Sequence, residues 1–159
     1  MKVNDNIFAA RYAAKSISSS DIVRFADNRL SESVYSDHYL AIIDEENKTW
    51  SALSNHLESA FNEFEITIPK FEEAIWVLVS YHVDSILSRE VKPIKGFEAL
   101  LRDIDNFDLH KDIKEYVGDN IGISKMYGVY HEETFSIEET NIGLFNECID
   151  WQSEYGKRH

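Results

Sequence analysis

The fold is decided by residues 71–89, FEEAIWVLVSYHVDSILSR, which are apolar around nearly the whole circumference of a helix. A helix without a polar face belongs in the middle of a bundle, because every side of it needs an apolar neighbour. The β-branched residues leave a strand open, but the length of the run favours a helix over a strand. The stretch therefore predicts an all-α fold built around one central helix.

Helical patterns also precede this stretch. A first helix is predicted over residues 5–16, a second after the serine cluster at 18–20, and a third from Ser36 or Asp37. The fourth has a clear apolar stripe at spacings of three and four, formed by Trp50, Leu53, Leu57, Ala60, Phe61 and Phe64. We expect four helices in this part of the chain.

After the central stretch, Pro93 can open a further helix, since proline suits the first helical turn. Residues 109–117 suggest a short helix, whereas residues 121–130 fit a loop, a strand or an irregular helix. The last helix starts at a capping box, with Ser136 and Glu139 three apart. Its apolar side is expected to contain Ile137, Leu144, Phe145, Cys148 and Trp151.

Together these patterns predict a compact, mainly all-α bundle of about six to eight helices, with at most a minor β element near Ile66 or Val129. The chain has 159 residues, the length of one ordinary domain. No linker, low-complexity tract or internal repeat divides it, so we expect a single helical domain over residues 1–159.

The net charge of −13 limits the classes of partner. Nucleic-acid binding needs a basic face, and the 16 Lys and Arg are scattered among 29 Asp and Glu. We therefore expect no direct binding to nucleic acid. An acidic surface suits a basic protein partner through electrostatic steering, although acidity also serves solubility alone.

The chain is expected to be cytoplasmic, without a membrane segment. One cysteine, Cys148, forms no internal disulfide, which fits a reducing compartment. The apolar residues 7–10 are cut short by Arg11, unlike a secretory signal. The longest uncharged apolar run, residues 74–83, is far below the ~20 residues that span a bilayer.

No catalytic, cofactor-binding or metal-binding residue is predicted. A zincin motif would need a second histidine where Phe135 follows His131 and Glu132. The residues around Ser124 lack the second glycine of a nucleophile elbow, and no glycine-rich phosphate loop is present. Cys148 lies on an apolar helix side, where a thiol behaves as a small hydrophobic group.

His82 is the one histidine expected inside the fold. It is either a buried general base or a core histidine hydrogen-bonded to a backbone or tyrosine oxygen. Asp84 is too close in sequence to orient its ring from the same helix face.

The candidate partner-binding residues are Tyr127, Tyr130, Glu132, Glu133 and Phe135. Aromatic side chains serve as anchors in protein interfaces, and the neighbouring carboxylates would set the approach of a basic partner. The same aromatic side chains could instead tie a long loop onto the bundle.

Three stretches carry a resemblance: residues 20–27 (SDIVRFAD) followed by Tyr35 and Ser36, residues 71–76 (FEEAIW), and residues 89–96 (REVKPIKG). In this order, over roughly residues 7–130, the chain resembles a loose set of short helical bacterial proteins. Some small acidic proteins of this style are immunity partners of secreted toxins. The resemblance implies the helical fold and carries over no catalytic residue.

We therefore expect a non-enzymatic interaction domain that binds a basic protein through an acidic face, with a toxin-neutralising immunity protein as its specific form. One alternative is a small enzyme or ligand-binding domain in which carboxylates and His82 converge in a pocket. Another is a structural homodimer that uses the aromatic segment as its own interface.

Overall fold

The structure, a computed structural model, describes residues 4–111 and 116–158 and forms two compact units. Unit 1 is residues 1–70 and unit 2 is residues 71–159. In the described residues there are eight α-helices, two short 3₁₀-helices and no strand. This confirms the predicted all-α fold and the number of its helices. The prediction of a single domain stays a prediction, and each unit is described by itself.

Unit 1 has four α-helices, and each begins where the sequence offers an N-cap side chain. They are α1 (Asp5–Ala13), α2 (Ser19–Ser31), α3 (Asp37–Asp44) and α4 (Trp50–Glu63). Their N-caps are Asn4, Ser18, Ser36 and Thr49, whose side-chain oxygens accept hydrogen bonds from backbone N–H groups of the first turn. Such a cap stabilises a helix by about 1 kcal/mol.

The core of unit 1 is built around the ring of Phe25. This ring stacks on Phe8 at a centroid distance of 4.0 Å and meets Tyr39 and Phe61 edge-on at 5.9 and 6.0 Å. The four aromatic residues come from α1, α2, α3 and α4, one from each helix. Edge-to-face and offset pairs add about 0.5–1.5 kcal/mol each beyond the burial of apolar surface. The ring cluster therefore joins all four helices of this unit.

Unit 2 contains α5 (Phe71–Leu87), α6 (Pro93–Asp103), α7 (Ser124–Tyr130) and α8 (Ile137–Tyr155). The 3₁₀-helices are Asp119–Ile121 and Gly156–Arg158. Helix α8 packs against α5, α6 and α7, and α5 also packs against α6. Buried residues of α5 recur at helical spacing, and they include His82. The two predicted start signals, Pro93 and the Ser136–Glu139 capping box, both open helices.

Several predicted boundaries change. Helix α1 ends at Ala13 instead of residue 16, because Lys15 takes a left-handed backbone conformation with φ 59°. The segment around Ile66 is irregular and Val129 lies inside α7, so neither position holds the minor β element. Of the helix predicted over residues 109–117, residues 112–115 lie outside the described part of the chain.

Candidate functional site

The most unusual stretch of the chain for charge is residues 126–156. It contains no lysine or arginine and seven acidic residues, Glu132, Glu133, Glu138, Glu139, Glu147, Asp150 and Glu154. Because no cation lies within the stretch, its carboxylates have no local partner of opposite charge in sequence. It spans most of α7, all of α8 and the segment that joins them.

Helix α8 places apolar side chains on both of its sides. Leu144, Cys148 and Trp151 recur at spacings of four and three and are buried. Ile142 and Ile149 are two turns apart on the opposite side, where 55% and 48% of their surface is exposed. An amphipathic helix normally carries polar residues on its outer side, so this outward pair is a departure from the usual pattern.

Two more large apolar side chains are exposed just before the helix or at its first residue. Phe135 is 44% exposed and Ile137 is 77% exposed. We call the exposed side chains in and just before α8 the α8 surface. Its apolar members are Phe135, Ile137, Ile142 and Ile149, and its carboxylates are Glu132, Glu133, Glu138, Glu139 and Asp150. Scattered exposed apolar residues are ordinary, but Ile142 and Ile149 share one side of the helix, and an exposed apolar patch is typical of an interaction site.

The structure divides the sequence-predicted partner-binding residues into two groups. Tyr127 and Tyr130 lie on α7 and are half-buried. The ring of Tyr130 packs on Phe97 at 5.3 Å, and its hydroxyl donates to Glu98 Oε1 at 3.3 Å. Burial, followed by the charge of Glu98, raises the pKa of Tyr130. The Tyr127 ring lies 4.4 Å from the His131 ring. Both tyrosines therefore have contacts within unit 2.

The other three predicted residues, Glu132, Glu133 and Phe135, are exposed together in the turn before α8. Glu132 Oε1 accepts hydrogen bonds from the backbone N–H of Thr134 at 3.1 Å and from its hydroxyl at 2.9 Å. These bonds lower the pKa of Glu132, so the carboxylate stays charged. Their role in binding a partner stays a prediction.

Sequence reasoning missed Ile142 and Ile149 and misplaced Ile137. Ile137 was expected on the apolar side of the last helix, but it is exposed, since it is the first residue of α8. A signal for the other two was available in the sequence. Ile142 and Ile149 share one side of the helix, and Leu144, Cys148 and Trp151 share the opposite one. Only one of the two sides can face the core of a small bundle.

His82 is buried as predicted, with 4% of its surface exposed. Its Nε2 lies 2.7 Å from Asp103 Oδ2, so its partner is a carboxylate instead of a backbone or tyrosine oxygen. Asp84 is engaged elsewhere and accepts from Gln152 Nε2 at 3.0 Å. A general base must reach a substrate proton. The small exposed fraction of His82 instead favours a structural link between α5 and α6.

Cys148 is also buried as predicted. Burial, with a smaller contribution from the charge of Glu147, raises the pKa of its thiol to about 12. The thiolate is the nucleophilic form of cysteine, so this side chain is unreactive at neutral pH.

In unit 1, a charged cluster joins two helices. The Arg29 guanidinium is buried on α2, donates to Glu32 at 2.6 Å and forms an ion pair with Asp5 of α1. Burial opposes its charge, but the hydrogen bond to Glu32 and the charge of Asp5 outweigh that effect and raise the pKa of Arg29. Two carboxylates therefore surround one buried cation, which leaves the cluster with an excess of one negative charge.

Comparison with known proteins gives no further guide: no protein-family model, curated protein or solved structure matches this chain. Within residues 4–111 and 116–158, no three His, Cys, Asp or Glu side chains are grouped so as to hold a metal ion. Over the same residues, no helix is both long and apolar enough to cross a membrane.

Proposed function

We propose that this chain is a non-enzymatic protein-interaction domain that binds a basic protein partner through the α8 surface. The observation that carries the proposal is the combination of exposed isoleucines and carboxylates over a stretch without a lysine or arginine. Apolar side chains supply contact area that leaves water on binding. The carboxylates around them attract a partner of opposite charge and orient its approach.

The charge of the α8 surface also favours a different partner over a second copy of the chain. In a symmetric homodimer the same patch meets itself, so carboxylates such as Glu138 and Asp150 would lie near their own copies. Like charges placed together across an interface oppose binding. The net charge of −13 adds to this repulsion at low salt.

The more specific form of the proposal is an immunity protein that neutralises a toxin domain in the cytoplasm. The resemblance of residues 20–27, 71–76 and 89–96 to short acidic helical bacterial proteins supports it, as does the net charge. The single buried cysteine fits a reducing compartment. In this role, the α8 surface would cover a basic target-binding site of the toxin domain.

The test compares two triple variants with the same change in net charge. The first is Glu133→Gln, Glu138→Gln, Asp150→Asn, on the α8 surface. The matched control is Asp27→Asn, Glu46→Gln, Glu72→Gln, at exposed positions on other elements. A basic protein captured from lysate of the source cells is identified by mass spectrometry, purified and titrated against each variant at two salt concentrations.

We expect the α8 variant to bind the purified partner about tenfold more weakly at low salt, since three rim charges contribute about 0.2–1 kcal/mol each. The control variant should stay within about twofold of the original chain, because its charges act only at long range. An equal loss in both variants, or no specific basic protein at either salt concentration, would contradict the proposal.

A further inference from the structure

A second feature of unit 2 has the opposite chemistry to the α8 surface. It is an apolar groove of about 370 Å³ where the end of α5, the start of α6 and the middle of α8 meet. Its apolar walls are Ile86, Val91, Pro93, Ile142 and Phe145. Its polar lining residues are Arg89, Lys92, Asn141 and Asn146. We name this feature the α5–α8 groove.

The charge of the α5–α8 groove is reversed relative to the chain. Its polar lining consists of two cations and two carboxamides, and no carboxylate among the described residues lines it. Over the whole chain, acidic residues outnumber basic ones by 29 to 16. The carboxylates nearest in sequence, Glu90 and Glu147, each adjoin a lining residue without being among the lining residues. The groove therefore offers hydrogen-bond donors and positive charge beside an apolar floor.

Two contacts hold the side chains of Asn141 and Arg89 in place. Asn141 Oδ1 accepts the backbone N–H of Ile94 at 2.9 Å, at the first turn of α6. The Arg89 guanidinium lies over the Phe145 ring, 5.7 Å from its centroid. Arg89 itself has a left-handed backbone with φ 63°, which turns the chain away from the end of α5. A guanidinium on an aromatic face keeps its edge free to bind a carboxylate with two parallel N–H donors.

We propose that the α5–α8 groove binds a small amphipathic carboxylate, one anionic head on an apolar chain. The apolar chain lies against Ile86, Val91 and Phe145, and the carboxylate lies between Arg89 and Lys92. The volume is at the lower end of the range for small-molecule sites, which suits a ligand of about ten heavy atoms. The groove shares Ile142 with the α8 surface, but the carboxylate site needs no protein partner bound there.

The chemistry of the groove favours a single carboxylate over the other simple ligands. An apolar cation would bring its charge against Arg89 and Lys92. A neutral analogue buries the same apolar chain without the charge-assisted hydrogen bonds, which are about twice as strong as neutral ones. A ligand with several negative charges meets the repulsion of a chain with a net charge of −13. A ligand with one carboxylate avoids the repulsion from Arg89 and Lys92, can form the charge-assisted hydrogen bonds, and carries only one negative charge.

The test is a titration of the ¹⁵N-labelled chain with three probes of equal length, octanoate, octanamide and octylammonium. We expect octanoate to shift the backbone amides of Val91, Ile142 and Phe145 in a saturable way, with a Kd of about 1 mM. Octanamide should bind at least fivefold more weakly, and octylammonium should leave these amides unshifted. Shifts of equal size with octylammonium, or shifts scattered outside the groove, would overturn the proposal.

Two pairs of variants assign the site. Ile142→Glu puts a carboxylate into the groove, whereas Ile149→Glu puts the same charge two turns along the same side of α8, outside the groove. Both positions are exposed, so both variants should fold. Octanoate affinity is expected to fall at least fivefold in the first and to stay within twofold in the second. Equal affinities in the two variants would overturn the assignment.

The second pair removes the cations. Arg89→Gln with Lys92→Gln should reduce octanoate affinity at least fivefold and leave octanamide binding unchanged. Arg24→Gln with Lys125→Gln makes the same change in net charge at exposed positions elsewhere. It should bind octanoate as the original chain does. A loss of equal size in this control pair would show that net charge alone governs binding and would refute the groove.

Discussion

Unit 1 contains no glycine, whereas all six glycines of the chain lie in unit 2. Both units are helical, so the presence or absence of glycine does not account for their helical fold. The difference shows instead in how closely their helices approach, since α5 of unit 2 also ends at a left-handed non-glycine residue, Arg89. A small helical unit can therefore be packed by filling its centre with rings or by bringing helix backbones close together.

Unit 1 is packed around aromatic rings. Its core is the cluster of rings around Phe25, and its chain reverses at non-glycine residues. Lys15, Ser33 and Glu65 each follow a helix and have φ between 55° and 65°. In each case the next residue donates its N–H back to a carbonyl five residues earlier, as Val34 does to Arg29 at 2.9 Å. Glycine is the usual residue at this position, because a side chain costs energy there.

Unit 2 also has ring contacts, such as Trp76 with Trp151 at 6.2 Å, and it adds close approaches of helices at glycine. A side chain at Gly96 would place its Cβ 2.5 Å from Ile86 Cγ1, and one at Gly143 would lie 2.8 Å from Val129 Cγ1. Such distances are shorter than van der Waals contact, so these glycines let α6 lie close to α5 and α8 lie close to α7. Gly128, by contrast, is exposed on α7 with nothing near its missing Cβ.

The largest effect on stability is expected when the central ring of unit 1 is removed. Phe25→Ala should lower the free energy of unfolding by about 3–5 kcal/mol, since a buried ring is replaced by a cavity. Denaturant unfolding gives the magnitude, and hydrogen exchange gives the location, with loss of protection centred in residues 4–70. Phe135→Ala, at an exposed ring, should cost under about 1 kcal/mol. Similar losses in both variants would show that the ring cluster is not the core of unit 1.

A substitution at Gly96 tests the close approach in unit 2. Gly96→Ala should destabilise the chain by about 1–2 kcal/mol, because overpacking against Ile86 exceeds the gain in helix propensity. Gly128→Ala makes the same chemical change in open space, and it should stabilise by about 0.5–1 kcal/mol. Thermal and denaturant unfolding of the pair measure the difference. If both variants gained stability, the helices of unit 2 would not need glycine for their packing.

A substitution at a helix end of unit 1 is expected to raise stability, by a smaller amount than the losses above. Ser33→Gly should raise stability by about 0.5–1 kcal/mol, since relief of the left-handed conformation exceeds the extra entropy of glycine in the unfolded chain. Ser59→Gly, within α4 and exposed, should instead lower stability by about 0.5 kcal/mol. Chemical denaturation at pH 7 is sufficient for both. A loss of stability in Ser33→Gly would show that the serine side chain itself supports the turn.

The smallest expected effect is at the edge of the ring cluster, where the Tyr12 hydroxyl donates to Glu58. Burial and then the Glu58 carboxylate raise the pKa of Tyr12 from 10.0 to about 12. The folded state therefore favours the protonated phenol, and this contribution is present below pH 10 and lost as pH rises to 12.

Tyr12→Phe should cost less than about 1 kcal/mol at pH 7, since it removes one hydrogen bond. The difference from the original chain should shrink as the pH of the unfolding measurements rises above 10. A difference that stays constant from pH 7 to 11 would contradict the role of the Tyr12 proton. Spectrophotometric titration of the tyrosines gives an independent check.

Much of the fold could be predicted because helical spacing and capping are local. The Trp50–Phe61 stripe, the start of α6 at Pro93 and the capping box at Ser136 all depend on neighbours within one or two turns. The end of α1 could not be predicted in the same way. Its left-handed residue is Lys15, a residue type that gives no signal for that conformation.

For the candidate site, the sequence indicated the acidic turn at Glu132, Glu133 and Phe135 but not the outer side of α8. Ile142 and Ile149 are as apolar as buried core residues, so residue type alone cannot mark them as exposed. Likewise, Asp103 is twenty-one residues from His82, and nothing local in either helix indicates that they meet. Long-range pairs of this kind arise from the packing of whole helices.

The sequence was therefore sufficient to predict the helical class, most helix starts, the acidic charge and the burial of His82 and Cys148. These properties follow from composition and from spacing along one helix. The tertiary structure decided which side of α8 is covered, which carboxylate faces His82, and where Arg89 and Lys92 border an apolar groove. The physical reason is that spacing shows which residues share one side of a helix, whereas only packing decides which side gains a neighbour.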